Sequence, residues 1–137
     1  MRRKPGIALL FSIAALYDGV LGLAFLTAPA AVFSRFGMTP PNHPGYVQFP
    51  AALLIVFALI FLRIAVDPAG NRWLIPYGIL LKLSYCGVVF YYWSAEGLPY
   101  IWKPFAVFDL VFLVLFVQAF LSLGARGAAG RGGMAAS

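Results

Sequence analysis

The sequence predicts an all-α integral membrane protein, a four-helix bundle with both termini in the cytoplasm, and three observations predict it. Of 137 residues, 63% are hydrophobic and 10% charged, against roughly 25% charged in soluble domains. Four apolar stretches are each long enough to cross a bilayer, which takes about 20 residues rising 1.5 Å apiece. Lysine and arginine gather on one side of those stretches, the bias that sets orientation.

The first span covers 6–28 and follows the basic run Arg2, Arg3, Lys4. MRRK, an apolar stretch and TAPAA together resemble a secretory signal with a small-residue cleavage site. The apolar stretch is too long for that, however, and contains Asp18, so a retained helix is expected. The breaker-rich connection PAAVFSRFGMTPPNHPG leads to the second span at 46–66, and VDPAGNR to the third at 73–93. SAEGLP then leads to the fourth at 100–124. The remainder, 125–137 (ARGAAGRGGMAAS), lacks apolar periodicity and is expected to be a disordered cytoplasmic tail. Each span is continuously apolar for twice the length of a barrel strand, which excludes a β-barrel. Pro50, Pro76 and Pro104 fall in the first turn or two of their spans, where a missing N–H costs least.

Arg2, Arg3, Lys4, Arg63, Arg72, Arg126 and Arg131 lie on one side, against Arg35 and Lys103 on the other. This distribution places the termini inside, in a multi-pass topology of the plasma (inner) membrane. Tyr46, Tyr91, Tyr92, Trp93, Tyr100 and Trp102 would form an outer aromatic belt, with Trp73 at the inner surface. The net charge of +6 is then a topology signal and an attraction to anionic membrane lipids, not a nucleic-acid footprint. A single cysteine, Cys86, and a single histidine, His43, allow neither a disulfide nor a bis-histidine haem within one chain.

Three ionisable residues have no place at a membrane surface: Asp18, Lys82 and Asp109. Counting helix rise from the inner ends puts them about 18, 14 and 22 Å deep, all near the bilayer centre. Each alone costs about 2.5–3.5 kcal/mol there, so mutual compensation inside the bundle is expected. Spans three and four share a short connection and are expected to be antiparallel neighbours, making a Lys82–Asp109 bridge the first expectation. Asp18 would either share Lys82 or carry a proton, since two carboxylates beside one lysine leave an excess negative charge.

Spacing supports burial of these residues. Ala14, Asp18 and Gly22 share one helix face, as do Gly78, Lys82 and Cys86, and small residues beside a charge let another helix approach. Tyr17 and Tyr85 are placed to hydrogen-bond the carboxylates, and Phe105, Phe108, Phe112 and Phe116 surround Asp109 along its helix. Tyr17, Tyr85, Phe105 and Phe112 are the candidate walls of a pocket. The same cluster is equally readable as a device that fixes helix register.

The four-span layout, the Pro- and Gly-punctuated loop after the first span, the stretch DPAGNRWLIPYGILLKLSYC, and GLP followed by FDLVFLVLF resemble the small bacterial DoxX-like membrane proteins over most of 17–120. Lys82 and Asp109 fall within the motifs that carry the resemblance. DoxX itself is similar to a membrane subunit of a quinone-linked oxidoreductase, so the resemblance implies an accessory redox role. This sequence supplies neither haem ligands nor a thiol pair for that activity. Size, span number and an acid in the first span also make the chain similar to small multidrug-resistance transporters, from which its one-sided charge and Lys82 depart.

The expected function is therefore a non-enzymatic bundle whose Lys/Asp cluster serves a lipid-like or quinone-like molecule, a membrane protein partner or a second copy of the chain. The alternative is a proton-coupled small-solute transporter using Asp18. No HExxH, GxSxG or clustered-acid pattern names a reaction, a metal or a cofactor.

Overall fold

Inside a bilayer every backbone N–H and C=O must be satisfied by the chain itself, and continuous helices do this. The structure, a computed structural model, describes residues 4–97 and 99–135. Its elements are α1 (Pro5–Thr27), α2 (Pro29–Arg35), α3 (Gly45–Val66), a 3₁₀ turn (Arg72–Leu74), α4 (Ile75–Ala95) and α5 (Trp102–Ala135), with no strand among the described residues. Pro5, Pro29 and Pro76 sit at the N-termini of α1, α2 and α4, where the missing N–H has no partner to lose. Ser12, Thr27 and Ser84 donate to carbonyls four residues back, at 2.7 Å each, so these hydroxyls are satisfied within their own helices.

Four of the helices are long and apolar enough to cross a membrane, and their outward faces confirm the solvent they are built for. Leu16, Phe49, Leu59 and Leu121 are each more than 60% exposed. Apolar faces this extensive are stable in hydrocarbon and not in water. The chain is a multi-pass membrane protein.

The bundle consists of two tight helix pairs, α1 with α3 and α4 with α5, the second being the neighbours expected from the short connection. In lipid the association of helices rests on close packing and not on the exclusion of water, and Gly22 provides it in the first pair. A Cβ there would lie 2.7 Å from the Ala51 carbonyl oxygen and 2.9 Å from the Ile55 side chain. Because the nearer obstacle is backbone, it cannot swing aside. Gly22→Val should separate α1 from α3 at a cost of about 1–3 kcal/mol, read as an earlier midpoint in denaturant titration of the detergent-solubilised protein. Gly6→Val, where a Cβ meets nothing, should leave that midpoint unchanged.

The two pairs meet through larger side chains. At the end that carries the chain termini, Phe11, Phe61 and Phe116 form a fully buried aromatic layer with Ile64, Ile75, Ala119 and Leu123. Lys4 reaches the Ser122 hydroxyl at 3.3 Å, and Arg72 donates to the Phe120 carbonyl at 2.9 Å while lying over its ring. At the far end Phe25, Phe33 and Ala51 form a second cluster with Trp102 packed against it.

Four expectations change. The connection after the first span contains a helix, α2, which carries Phe33 into the far cluster. The third span opens with a 3₁₀ turn. Trp102 is no belt residue, for its ring stacks on Phe25 at 5.9 Å, whereas Tyr46, Tyr91 and Tyr100 are exposed as expected. Finally α5 does not end at residue 124 but continues to Ala135, while residues 136–137 of the expected tail lie outside the described residues. Its glycines are poor helix formers, yet extending an existing helix needs no new nucleus.

Candidate functional site

The face of α1 that carries Ala14, Asp18 and Gly22 is buried, as is the face of α4 that carries Gly78, Lys82 and Cys86. Spacing alone had grouped both sets. Their burial brings Lys82 across the bundle to Asp18 on the opposite helix pair. The Lys82 ammonium donates to Asp18 Oδ1 at 2.9 Å and Oδ2 at 3.1 Å, and to Asp109 Oδ1 at 3.0 Å. Both sequence expectations hold together: the bridge to Asp109 forms, and Asp18 shares the lysine.

An ammonium has three N–H donors, and here they serve two carboxylates, the two Asp18 oxygens lying side by side before the same face of the ammonium. Lys82 and Asp18 are each 1% exposed, and the Asp109 side chain 10%. The rings of Phe112 and Tyr17 stand 5.2 and 5.4 Å from the ammonium, presenting π-density to a cation that has left water.

Beside the cluster, on the side away from the Phe11–Phe61–Phe116 layer, lies a cavity of about 330 Å³. Asp18, Asp109, Tyr17 and Tyr85 contribute its polar groups. Its walls are otherwise apolar: Leu21 and Phe25 from α1, Pro50, Ala51 and Leu54 from α3, Leu81 from α4, Trp102 and Phe105 from α5. Tyr46, Val47 and Leu53 complete the lining, and the exposure of Tyr46 and Leu53 marks an opening along α3. Three of the four expected pocket residues, Tyr17, Tyr85 and Phe105, line the cavity. Phe112 does not; it packs against the aromatic layer, because its position one turn beyond Asp109 points to the termini end. Phe108 is 52% exposed and Phe116 fully buried, so neither joins the walls.

The hydrogen-bond inventory of the cavity is uneven. Tyr85 donates to the Trp102 carbonyl at 3.2 Å and the Cys86 thiol sits 3.6 Å from that of Ala106. Gln48 is tied to the Leu26 carbonyl at 3.1 Å and His43 accepts from the Gly45 amide in an exposed loop, so neither enters the site. The Tyr17 hydroxyl is the exception. It is buried and has no hydrogen-bond partner among the described residues. Unsatisfied buried groups are costly, about 1–3 kcal/mol each, and this one belongs to a residue of the cavity wall but is itself buried beneath the cavity surface. Among the described residues no three His, Cys, Asp or Glu side chains come together as a metal site would require.

The α3 wall was not foreseeable from sequence. From Phe49 to Leu62 that helix has no polar residue to mark which face turns inward. Leu21 and Phe25 carried a usable signal, lying three and seven residues past Asp18 on the same face. The chain matches no protein-family model, no curated protein and no solved structure.

Proposed function

We propose that the protein is a non-enzymatic inner-membrane bundle that holds one small lipid-like or quinone-like molecule between its two helix pairs, with the basic, termini-bearing end in the cytoplasm. One observation carries this reading: an apolar cavity of about 330 Å³ lined by the two aspartates of the charge cluster, Asp18 and Asp109. That volume falls within the roughly 300–1,000 Å³ typical of small-molecule sites, and the pattern of apolar walls with a few convergent polar groups is the one such sites share. A cluster built only to fix helix register needs the ion pairs but no space beside them. The exposed edge at Tyr46 and Leu53 would admit a ligand sideways from the bilayer.

Isolation of the full chain in native lipid particles should yield one apolar compound in near-stoichiometric amount by mass spectrometry. Val47→Trp, which fills the cavity from α3, should lose that compound while keeping its helical content and unfolding midpoint. Recovery of nothing beyond bulk lipid from the wild type, or equal recovery from the variant, would overturn the reading. Any transport role would draw on Asp109 and not Asp18, because Asp18 has both oxygens committed to Lys82, whereas only Oδ1 of Asp109 is.

A further inference from the structure

We infer that the cavity selects an amphipathic amine: a small apolar body bearing one positively charged head with at least one N–H. This deepens the binding reading above and rests on it.

The inference starts from charge parity. One ammonium faces two carboxylates, so the site has one formal negative charge in excess, and no lysine or arginine lines the cavity among the described residues. Lys82 is 1% exposed, lies against both carboxylates and is absent from the cavity lining, so it is not presented to an anionic ligand. Asp109 lines the cavity and reaches Lys82 through Oδ1 alone, whereas Asp18 uses both oxygens. Near the bilayer centre an uncompensated carboxylate is costly. A ligand cation removes that cost, whereas a neutral head leaves it and an anionic head adds to it.

One further feature favours a cation. Tyr17, Phe105 and Trp102 place aromatic rings in the walls, and desolvated cations are attracted to such faces. A primary ammonium would thus sit at Asp109 while its apolar body lies against Leu21, Pro50 and Leu54.

The test is calorimetric titration of the full chain in phosphatidylcholine nanodiscs, with empty nanodiscs subtracted. Three probes share one body: 2-(1-naphthyl)ethylamine, 2-(1-naphthyl)ethanol and 1-naphthylacetate. The amine should bind about tenfold more tightly than the alcohol or better, and the carboxylate should not bind. Asp109→Asn leaves a balanced Lys82–Asp18 pair and should abolish the amine's advantage without weakening the alcohol. Ethanolamine lipids present the same ammonium chemistry. Weaker amine binding when they are added to the discs would identify a lipid head as a competing source; unchanged binding would identify a free amine. Alcohol binding as tight as amine binding in the wild type, or preferred carboxylate binding, would overturn the inference and keep the binding site. Absence of binding by all three probes would overturn the binding reading itself.

Discussion

Lys82→Met should destabilise the bundle by about 3–5 kcal/mol, the cost of removing one partner from a buried charge group. Methionine preserves the length and apolar stem of lysine, so the loss reports charge and not volume. Without the ammonium, two carboxylates face each other across the bundle, both buried, with no cation to offset them. The measurement is reversible unfolding in mixed micelles, read by far-UV circular dichroism as the denaturing detergent fraction rises. Second substitutions make the prediction sharper. Asp18 is the more deeply buried carboxylate, 1% exposed against 7% for Asp109, so Lys82→Met with Asp18→Asn should recover more stability than Lys82→Met with Asp109→Leu. The triple neutral variant should recover most. Strictly additive losses would be incompatible with a shared ion pair, since coupled partners must show non-additivity in such cycles.

That charge group was largely legible in the sequence, and the reason is physical. A charge in an apolar span is expensive enough to be rare, so Asp18, Lys82 and Asp109 stood out against their background. Their depths could be reckoned from the helix rise. Small residues at i±4 then indicated which faces turn inward, and Ala14, Gly22, Gly78 and Cys86 are buried with them. The spans were equally legible, because continuous apolar runs of membrane length have few other readings.

Other features were hidden for the opposite reason. Where every residue is apolar, hydropathy does not distinguish a lipid-facing leucine from a core leucine. On α3, Leu53 is 42% exposed while Ala51 is 2% exposed, and nothing in FPAALLIVF separates them. The cavity depends on such faces, and so its α3 wall could not be read. Trp102 illustrates a second limit: an aromatic residue near a span end fits an interfacial belt, yet it is equally suited to close a cavity beneath Phe25 and Phe33. Tertiary packing, not local pattern, decided between them. Helix α2 was obscured by the prolines and glycine that flank it, although its proline at N1 is a helix-start signal.

Phe116→Ala should cost about 3 kcal/mol while leaving ligand affinity intact. Phe116 is fully buried, stacks on Phe11 at 4.6 Å and meets Phe61 edge-on at 5.2 Å. Truncating a buried phenylalanine costs about 3–5 kcal/mol in soluble cores. The low end applies here because lipid tails solvate an exposed ring about as well as the core does, leaving mainly lost packing. Gly78 limits relaxation, since its backbone already closes on the Phe61 and Phe116 rings. The variant also separates stability from binding. Phe116 belongs to the aromatic layer at the termini end and is absent from the cavity walls, with Lys82 and its carboxylates between the two. If the termini half holds the helices together and the far half holds the ligand, Phe116→Ala lowers the unfolding midpoint in micelles and leaves amine titration in nanodiscs unchanged. Val47→Trp does the reverse. A parallel loss of both properties in Phe116→Ala would mean that the cavity is shaped by the aromatic layer and that the two halves act as one unit.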